Sequence, residues 1–368
     1  MTDANLLFDL TPTEEQQMTR EVVQRFAKEE MAEKARDADE AAHLPDGFLQ
    51  QTVDLGLSFM PIPEDMGGVG AGRSRVSNVL NIEDLAQGDM SMAIAALTPL
   101  SVINCLLDTG SKTQQADVFN RLAKESFSPA ALALMEPSIG FNAYQLDTTA
   151  TEQADGNFVL IGEKAMVAYG DKAEVVIVFA MLDGEVAAFI VNKNTTGVSF
   201  TREDYMGLRP LPLYKMTLAT ASVGPEAKLA GNLNIQQLVN DSKIAASALA
   251  VGTCQAVLDY VVPYVNQREA FGEPISNRQA VAFMVADMAT EIEAMRLMTY
   301  RAAAQADQGI DNTKSAALAL RNCIKHSMKI GTDGVQLLGG HGFTREYPCE
   351  MWYRNLRAIA TLDGMLIA

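Results

Sequence analysis

Cysteine, tryptophan and histidine are scarce in this sequence of 368 residues, which contains four cysteines, one tryptophan and three histidines. The cysteines form no CxxC pair and no cluster with metal-ligand spacing, so neither a zinc site nor a disulfide framework is indicated. We interpret Cys105, Cys254, Cys323 and Cys349 as small buried apolar residues of a protein in a reducing compartment, and we expect no metal site.

Positive charge is also in short supply, since 29 Lys and Arg residues face 46 Asp and Glu residues and give a formal net charge of −17. Such a chain repels phosphate backbones and anionic lipid, which excludes nucleic acid and anionic membrane as the main partner. Uninterrupted apolar runs long enough to span a bilayer are missing. The N-terminus lacks the basic and then apolar pattern of a secretory signal. These features together predict a cytoplasmic protein.

Three zones of different periodicity follow one another along the chain. Residues 1–127 have apolar positions at helical spacing, beginning with a capping pattern around Thr11, Pro12 and Glu14. Residues 128–232 contain short β-branched runs separated by Gly, Asp and Asn, which indicate an antiparallel β domain. Residues 233–368 return to long apolar helices. The pattern predicts an α+β protein with a helical domain, a β domain and a second helical domain.

A glycine-rich stretch, "GGVGAGRS" at Gly67 to Ser74, nearly fits a phosphate-binding loop but has Arg73 where that motif requires lysine. A phosphate loop follows a strand and opens a helix, whereas this stretch follows Pro61 and Pro63. We interpret it as a surface turn. The sequence also shows no dinucleotide-binding glycine fingerprint in a strand–turn–helix setting, and no serine or cysteine in the setting of a catalytic nucleophile.

Two later motifs are more specific: "QREAFGEPISNRQA" lies between two long helices, and "GVQLLGGHGF" follows a third. Their order behind an α–β–α chain resembles the acyl-CoA dehydrogenase family of flavoproteins over nearly the whole chain. The resemblance implies an N-terminal helical domain (1–127), a central antiparallel β domain (128–232) and a C-terminal four-helix bundle (233–368). It also implies FAD, an acyl-CoA substrate, a tetramer, and electron-transferring flavoprotein as electron acceptor.

Cofactor-binding residues follow from the resemblance position by position. The two motifs place one group beside the pyrophosphate and adenine half of a neighbouring subunit's FAD: Arg268, Phe271, Gln279, Gln336, Gly339 and Gly340. Arginine suits phosphate because its planar donors grip two oxygens at once. A second group corresponds to the family's contacts to the flavin ring: Met135, Met166 and Ala168.

Asp363 resembles the catalytic base of the family in its position, 27 residues after Gln336 (336 + 27 = 363), and Gly364 follows it. A proton next to a thioester carbonyl is weakly acidic, so its base must be desolvated and raised in pKa. The family usually has glutamate here, and aspartate shortens the reach by roughly 1.5 Å. Lys243, Phe141 and Gly364 correspond to positions on the substrate side.

Departures from the family pattern are concentrated at the flavin ring. Met135 stands for a threonine, Met166-Val167-Ala168 for a Trp-Ile-Thr/Ser triplet, and Met365 and Ile367 for polar contacts after the base. The adenine-side residues match. The sequence therefore leaves three alternatives open: a homomeric FAD-dependent dehydrogenase, a partly degenerate subunit that completes the FAD site of a homologous catalytic subunit in a heterotetramer, or a CoA-ester-binding protein without flavin.

Overall fold

A computed structural model describes residues 11–368. The first part of the chain is helical, and its first helix begins at an N-cap provided by Thr13, not at Thr11. The Thr13 hydroxyl accepts a hydrogen bond from the Gln16 amide at 3.2 Å, and the Gln16 side-chain oxygen accepts one from the Thr13 amide at 3.0 Å, which forms a capping box. The helices are α1 Glu14–Phe26, which continues through a π-helical turn Ala27–Ala32 into α2 Glu33–Ala41, then α3 Phe48–Val53, α4 Arg75–Gly88, α5 Met90–Thr109 and α6 Lys112–Leu122.

A seven-stranded sheet forms the second part, as its β-branched runs predict. Its strands β1 and β4 are buried on both faces, whereas the other strands have exposed or partly exposed positions. The strands are β1 Ala130–Ala133, β2 Thr149–Glu152, β3 Phe158–Ala168, β4 Val175–Leu182, β5 Glu185–Val191, β6 Val198–Glu203 and β7 Leu213–Val223. Most pairs are antiparallel, as predicted, but β1 lies parallel to β4 with Ala130 opposite Val175. The sheet is therefore mixed, and β2 also pairs parallel with β4. A parallel pair requires a long connection, and residues 134–174 provide one between β1 and β4, whereas a tight hairpin would make the pair antiparallel.

Four helices and a small hairpin make up the last part of the chain. The helices are α7 Ile235–Gln267, α8 Gln279–Asp307, α9 Thr313–Leu337 and α10 Cys349–Arg357, and the hairpin is β8 Glu269–Ala270 with β9 Glu273–Pro274. Helix α7 is apolar on nearly all sides and lies at the centre, against α4, α8, α9 and α10. At Gly252 a Cβ atom would lie 2.1 Å from the Glu83 carbonyl oxygen, so only glycine lets α7 approach α4 this closely.

The core joins all three parts. One large cluster of buried side chains contains residues of the first helices, the sheet and the last helices, and a second cluster lies around α5, α6 and β4. All four cysteines are buried free thiols. Helices α5 and α7 are long and apolar enough to cross a membrane by length and composition, but 94% and 78% of their most apolar windows are buried within the fold, as in core helices.

Candidate active site

Asp363 lies in the turn that follows the short 3₁₀ helix Ala358–Thr361, and the residue after it fixes the direction of that turn. Gly364 has a φ of +71°, and a Cβ atom there would lie 2.6 Å from the Cβ of Leu134. Its amide donates a hydrogen bond of 2.7 Å to the buried hydroxyl of Ser242 on α7. The turn that carries the carboxylate is thus held by a left-handed glycine, a strand-end leucine and a buried serine.

The electrostatic surroundings of Asp363 favour a stronger base than an exposed aspartate. Burial raises the pKa of its carboxyl group, and the ammonium group of Lys243 opposes part of that rise. Lys243 follows Ser242 directly, so the residue that fixes the turn and the charge that faces the carboxylate share one turn of α7. The structure therefore brings three predicted residues together: Asp363, Gly364 and Lys243.

A phenol that sequence reasoning missed lies within the electrostatic influence of this carboxylate. Burial raises the pKa of Tyr144, a hydrogen bond with Gln236 lowers it, and the charge of Asp363 raises it further. Tyr144 follows the segment of Phe141 and Asn142, and its amide donates to the Asn142 side chain at 3.1 Å. Phe141 is partly buried against the second core cluster. In the sequence, the tyrosine of "FNAYQ" is the feature that could have indicated a phenol at this position.

The chain beyond Gly364 runs through the interior between α5 and α7. Met365 and Ile367 are 5% and 3% exposed, and the Ile367 amide donates to the Ser101 hydroxyl at 3.1 Å. The Ala368 carbonyl oxygen accepts a bond of 2.6 Å from Arg73. This segment therefore belongs to the packed core.

Arg73, in the glycine-rich stretch, is not the surface residue that a surface turn implies. Its guanidinium group is 7% exposed and pairs with Asp241 at 2.8 Å and with Asp108. Burial lowers the pKa of Arg73 to about 10, in spite of its carboxylate partners. The stretch is tied down by ion pairs to α5 and α7 and then enters α4, whose N-cap is Ser74. A sequence pattern gives no sign of these distant partners.

Met135, Met166 and Ala168, which correspond to flavin-ring contacts, lie close together in the sheet. The Ala165 amide donates to the Met135 carbonyl oxygen at 2.9 Å, so the strand before Met166 lies directly beside Met135. Met166 has a φ of +53°, an uncommon value for a residue with a side chain, at an irregularity in the β3–β7 pairing. Met166 and Ala168 are 7% and 2% exposed. They form a buried apolar surface.

A buried ion pair fixes this surface from behind. The Lys164 ammonium, fully buried, donates to Glu136 at 2.7 Å and to the Leu134 carbonyl oxygen at 3.2 Å. Glu136 also accepts from the amides of Asp147 and Thr148, at 2.7 and 2.9 Å. Burial lowers the pKa of Lys164 to about 8. Burial alone would raise the pKa of Glu136, but its hydrogen bonds outweigh this and keep that pKa below the usual value.

The adenine-side residues form a separate, exposed group. Arg268 ends α7 with an exposed side chain, and Phe271, at a φ of +58°, is 95% exposed at the tip of the β8–β9 hairpin. Gln336, Gly339 and Gly340 are exposed at the end of α9, and Gln279 is exposed at the start of α8. A Cβ atom at Gly339 or Gly340 would meet nothing within 4 Å, so the backbone there is open to a ligand.

Tyr264, another residue that sequence reasoning missed, connects the two motifs. Its hydroxyl donates to the Leu338 carbonyl oxygen at 3.3 Å and bonds the His341 ring nitrogen at 2.8 Å. Because Tyr264 precedes Arg268 by one helical turn and Leu338 lies between Gln336 and Gly339, the ends of α7 and α9 are joined at this point. An exposed arginine beside an exposed aromatic ring and open glycine backbone suits an aromatic ligand with phosphate groups.

The base and the adenine-side group lie at opposite ends of α7. Lys243 beside Asp363 and Arg268 are 25 residues apart (268 − 243), which is about 37 Å along a helix. One chain therefore does not bring both ends of this helix to a single compact site. A ligand shorter than this distance cannot meet both groups of the same chain.

We expect replacement of Lys243 by methionine to raise the pH at which the base becomes active. The ammonium group stabilises ionised Asp363, so its loss raises the pKa of this carboxyl further. The measurement is the pH profile of kcat/KM, whose rise on the acid side should move to higher pH. Lys314→Met, at an exposed lysine of α9, is the control and should leave that rise in place. A shift to lower pH, or none, would contradict the assigned pairing.

The chain has helical, sheet and helical domains in this order, with a partly buried carboxylate near the end of the last. Comparison with known proteins identifies the class of oxidoreductase to which this arrangement belongs. Family models of acyl-CoA dehydrogenase match the chain as N-terminal domain (residues 13–126), middle domain (131–221) and C-terminal domain (230–365). The chain is 32% identical to an acyl-CoA dehydrogenase of Bacillus subtilis (strain 168) over 96% of this chain and 95% of that protein.

Other relatives agree. The cyclohex-1-ene-1-carbonyl-CoA dehydrogenase of Geobacter metallireducens is 32% identical over 96% of this chain and 95% of its own length. The structure of butyryl-CoA dehydrogenase from Megasphaera elsdenii superimposes with a TM-score of 0.89 at 29% identity, covering 97% of this chain and 96% of that one. The chain belongs to the acyl-CoA dehydrogenase family. The predicted family, fold class and kind of enzyme, an acyl-CoA dehydrogenase-type oxidoreductase, are thereby confirmed.

Proposed function

We propose that this protein removes the α and β hydrogens of an acyl-CoA thioester, with FAD as its cofactor. The observation that carries the proposal is Asp363, a partly buried carboxylate with a raised pKa, held in a fixed turn by Gly364 and Ser242. Its position in the chain is that of the family's base. A desolvated and positioned carboxylate suits abstraction of a weakly acidic proton.

Each step that the chain itself performs can be given a residue. Ionised Asp363 takes the proton from the carbon next to the thioester carbonyl, and Lys243 keeps the carboxylate ionised between turnovers. The left-handed turn at Gly364 and the Ser242 hydroxyl hold the carboxylate at its position. Met135, Met166 and Ala168 provide the apolar surface on the side assigned to the flavin ring. FAD, when bound, supplies the acceptor for the hydride from the β carbon.

The residues present fit FAD in two different ways. The adenine-side group offers a free guanidinium group at Arg268, an exposed ring at Phe271 and open backbone at Gly339 and Gly340. The ring-side surface offers thioether and methyl groups without hydroxyl donors, so hydrogen bonds to a flavin ring there would come from backbone amides. The fit is polar at one end and apolar at the other.

We further propose that the protein works as a tetramer in which Arg268 of one subunit serves the FAD of another. The separation of about 37 Å along α7 supports this arrangement, because a single chain keeps the two groups apart. Exposed aromatic rings also support association, since Phe271, Phe283 and Phe343 are 95%, 59% and 87% exposed. The tetramer is composed of identical subunits in the main proposal.

The apolar replacements at the flavin ring favour a second candidate, in which this chain is a partly degenerate subunit of a heterotetramer and completes the FAD site of a homologous catalytic partner. A CoA-ester-binding protein without flavin is the third candidate.

The absorbance spectrum of the purified protein separates these three candidates. Yellow protein with one FAD per chain that bleaches on adding an acyl-CoA supports the homomer. Colourless protein that gains flavin only on co-expression with a homologue supports the heteromer. Flavin in neither preparation leaves the CoA-ester binder.

The acyl group of the substrate can be identified by testing a panel of acyl-CoA compounds that the names of the relatives suggest. Butyryl-CoA and cyclohex-1-ene-1-carbonyl-CoA appear in the names of two relatives. A third relative, a probable short/branched chain specific acyl-CoA dehydrogenase of Dictyostelium discoideum, is 31% identical over 96% of this chain. Electron-transferring flavoprotein is the proposed electron acceptor. We place the protein in the lipid metabolism of the cytoplasm, an assignment supported by its four free thiols.

We expect Arg268→Met to weaken FAD binding by about 10- to 100-fold, because a charge-assisted bond to phosphate is lost. Fluorescence titration of apo-protein with FAD gives the affinity. Arg301→Met, at an exposed arginine of α8, is the matched control and should bind FAD like the unchanged protein.

Co-expression tests whether Arg268 acts between subunits. Hybrids of Arg268→Met and Asp363→Asn chains contain some sites with both residues intact if each site takes its base and its arginine from different chains. Random pairing in two-fold symmetric dimers should restore about a quarter of the activity. Activity no higher than that of the separate variants would show that each site takes both residues from one chain.

A further inference from the structure

A cavity of about 830 Å³, open to solvent, lies between helices of the first and last parts of the chain. Its walls come from α1 with its π-helical turn, from α2, from the end of α4, from the middle of α7 and from the start of α10. The cavity remains open because small side chains line part of it, namely Ala27, Ala35 and Ala256, which are 3%, 2% and 7% exposed. Met351 and Trp352 form an apolar wall. Sites for small organic molecules typically have volumes of roughly 300–1,000 Å³ and apolar walls of this kind.

This cavity is separate from the site of the base. Its α7 wall begins at Ala256, 13 residues after Lys243 (256 − 243), which is about 20 Å along the helix. None of the residues assigned to base, thioester or FAD lines it. Occupancy of one site therefore does not require or exclude occupancy of the other.

Two donor groups at this cavity lack protein partners. The indole nitrogen of Trp352 is buried without an acceptor among the described residues, although the residue is only 8% exposed. The Lys28 side chain is exposed and forms no ion pair with the described residues. The one carboxylate in the lining, Asp259, already accepts bonds from Gln87 and Gln255 at 2.7 and 2.8 Å. The free positive charge at this cavity is therefore that of Lys28, and the lining also contains the side-chain amides of Gln24 and Gln87.

The apolar part of the lining suits a flat ring. Trp352 and Tyr260 meet edge to face, with their centroids 5.8 Å apart at an interplanar angle of 70°. Trp352 is 8% exposed and Tyr260 is partly exposed, so the ring of Tyr260 provides most of the accessible surface for a third aromatic group, which packs by edge or by offset face. Met351 adds a thioether, which contacts aromatic rings favourably.

We propose that this cavity is a second binding site, for a planar aromatic anion of the size of a naphthalene carboxylate or sulfonate. The aromatic part lies against the ring of Tyr260 and the accessible edge of Trp352, and the anionic group faces Lys28. An aliphatic anion lacks the ring, and a neutral aromatic compound lacks the charge, so both bind more weakly. The proposal does not depend on the proposed dehydrogenase activity.

Trp352 is the only tryptophan of the chain, so energy transfer from it reports on this cavity. The probe is 1-anilinonaphthalene-8-sulfonate, with N-phenyl-1-naphthylamine as its analogue without the sulfonate. Both are titrated into protein saturated with FAD, which keeps the flavin site filled. We expect sensitised emission from one sulfonate probe per chain and an affinity about fivefold higher than that of the neutral analogue.

Two surface variants test the assignment without disturbing the core. Lys28→Gln should remove the preference for the anion, and Ala32→Phe, at an exposed position of the cavity wall, should weaken both probes at least about tenfold by filling the space. Lys34→Gln, at a lysine of α2 paired with Glu30 outside the cavity, is the control for charge. Absence of sensitised emission, or probe binding that survives Ala32→Phe, would overturn the proposal.

Discussion

Replacing Asp363 with asparagine should slow reduction of bound FAD by an acyl-CoA by about 10²- to 10⁴-fold, the range that a positioned general base contributes. The amide has nearly the shape of the carboxylate but cannot take the α proton. Single-turnover absorbance of the flavin measures this step directly. Asp46→Asn, at an exposed aspartate of the helical domain, is the control and should react at the unchanged rate.

The same variant has an expected effect on stability that separates a lost base from a lost fold. The pKa of Asp363 is raised in the folded protein, so the unfolded chain releases this proton at lower pH than the folded one does. Stability therefore falls as pH rises from the ordinary aspartate pKa through the raised one. Asparagine has no such loss, so the variant should melt at or above the temperature of the unchanged protein at neutral pH. An inactive variant that also melts much lower would leave the role of Asp363 as a base unsupported.

Glu136→Gln should lower the free energy of unfolding by about 3–5 kcal/mol, because it leaves the buried Lys164 ammonium without its charge partner. Urea unfolding at neutral pH measures this loss. Because the pKa of Glu136 is held below its usual value, the pair stabilises the fold at neutral pH and ceases to do so on acidification. The difference between the variant and the unchanged protein should therefore shrink as pH falls through the range of glutamate titration.

The chain offers a matched control in a neighbouring ion pair. Glu163, on the same strand as Lys164, pairs with Lys215 at 3.1 Å, and both side chains are exposed to solvent. Glu163→Gln should change stability by less than about 1 kcal/mol. The double variant Glu136→Gln with Lys164→Met should regain part of the loss, since the charge that lacks a partner is removed. Equal losses from both glutamate variants would show that burial of the first pair has no energetic weight.

The sequence predicted what depends on local spacing. Periodicity distinguished helical from strand-forming parts, because it depends on residues that are close in the chain. The resemblance to the family, through the distance from Gln336, indicated Asp363 as the base, and that assignment stays a prediction. What it could not predict are contacts between residues far apart in the chain. Arg73 meets Asp241 across 168 positions, and Ser242 holds the Gly364 amide across 122. Neither partner carries a local pattern that names the other.

The mixed sheet and the roles of Tyr144 and Tyr264 lay outside prediction for the same reason. Short β-branched runs indicate strands but not their direction, since parallel and antiparallel pairs bury similar side chains. A tyrosine in a loop or near a helix end is ordinary by itself. The role of each tyrosine depends on its surroundings. The charge of Asp363 affects the pKa of Tyr144, and the Leu338 carbonyl oxygen accepts a hydrogen bond from Tyr264.

The rates at which the four buried cysteines react can report separately on the opening of four helices of the fold. Each thiol lies on a different helix, and burial raises the pKa of the thiol to about 11 at Cys105 and about 12 at Cys323 and Cys349. A thiol in this condition reacts with iodoacetamide only while its helix is detached from the core. Timed alkylation followed by peptide mass spectrometry would thus give the order in which α5, α7, α9 and α10 open, without the introduction of any label.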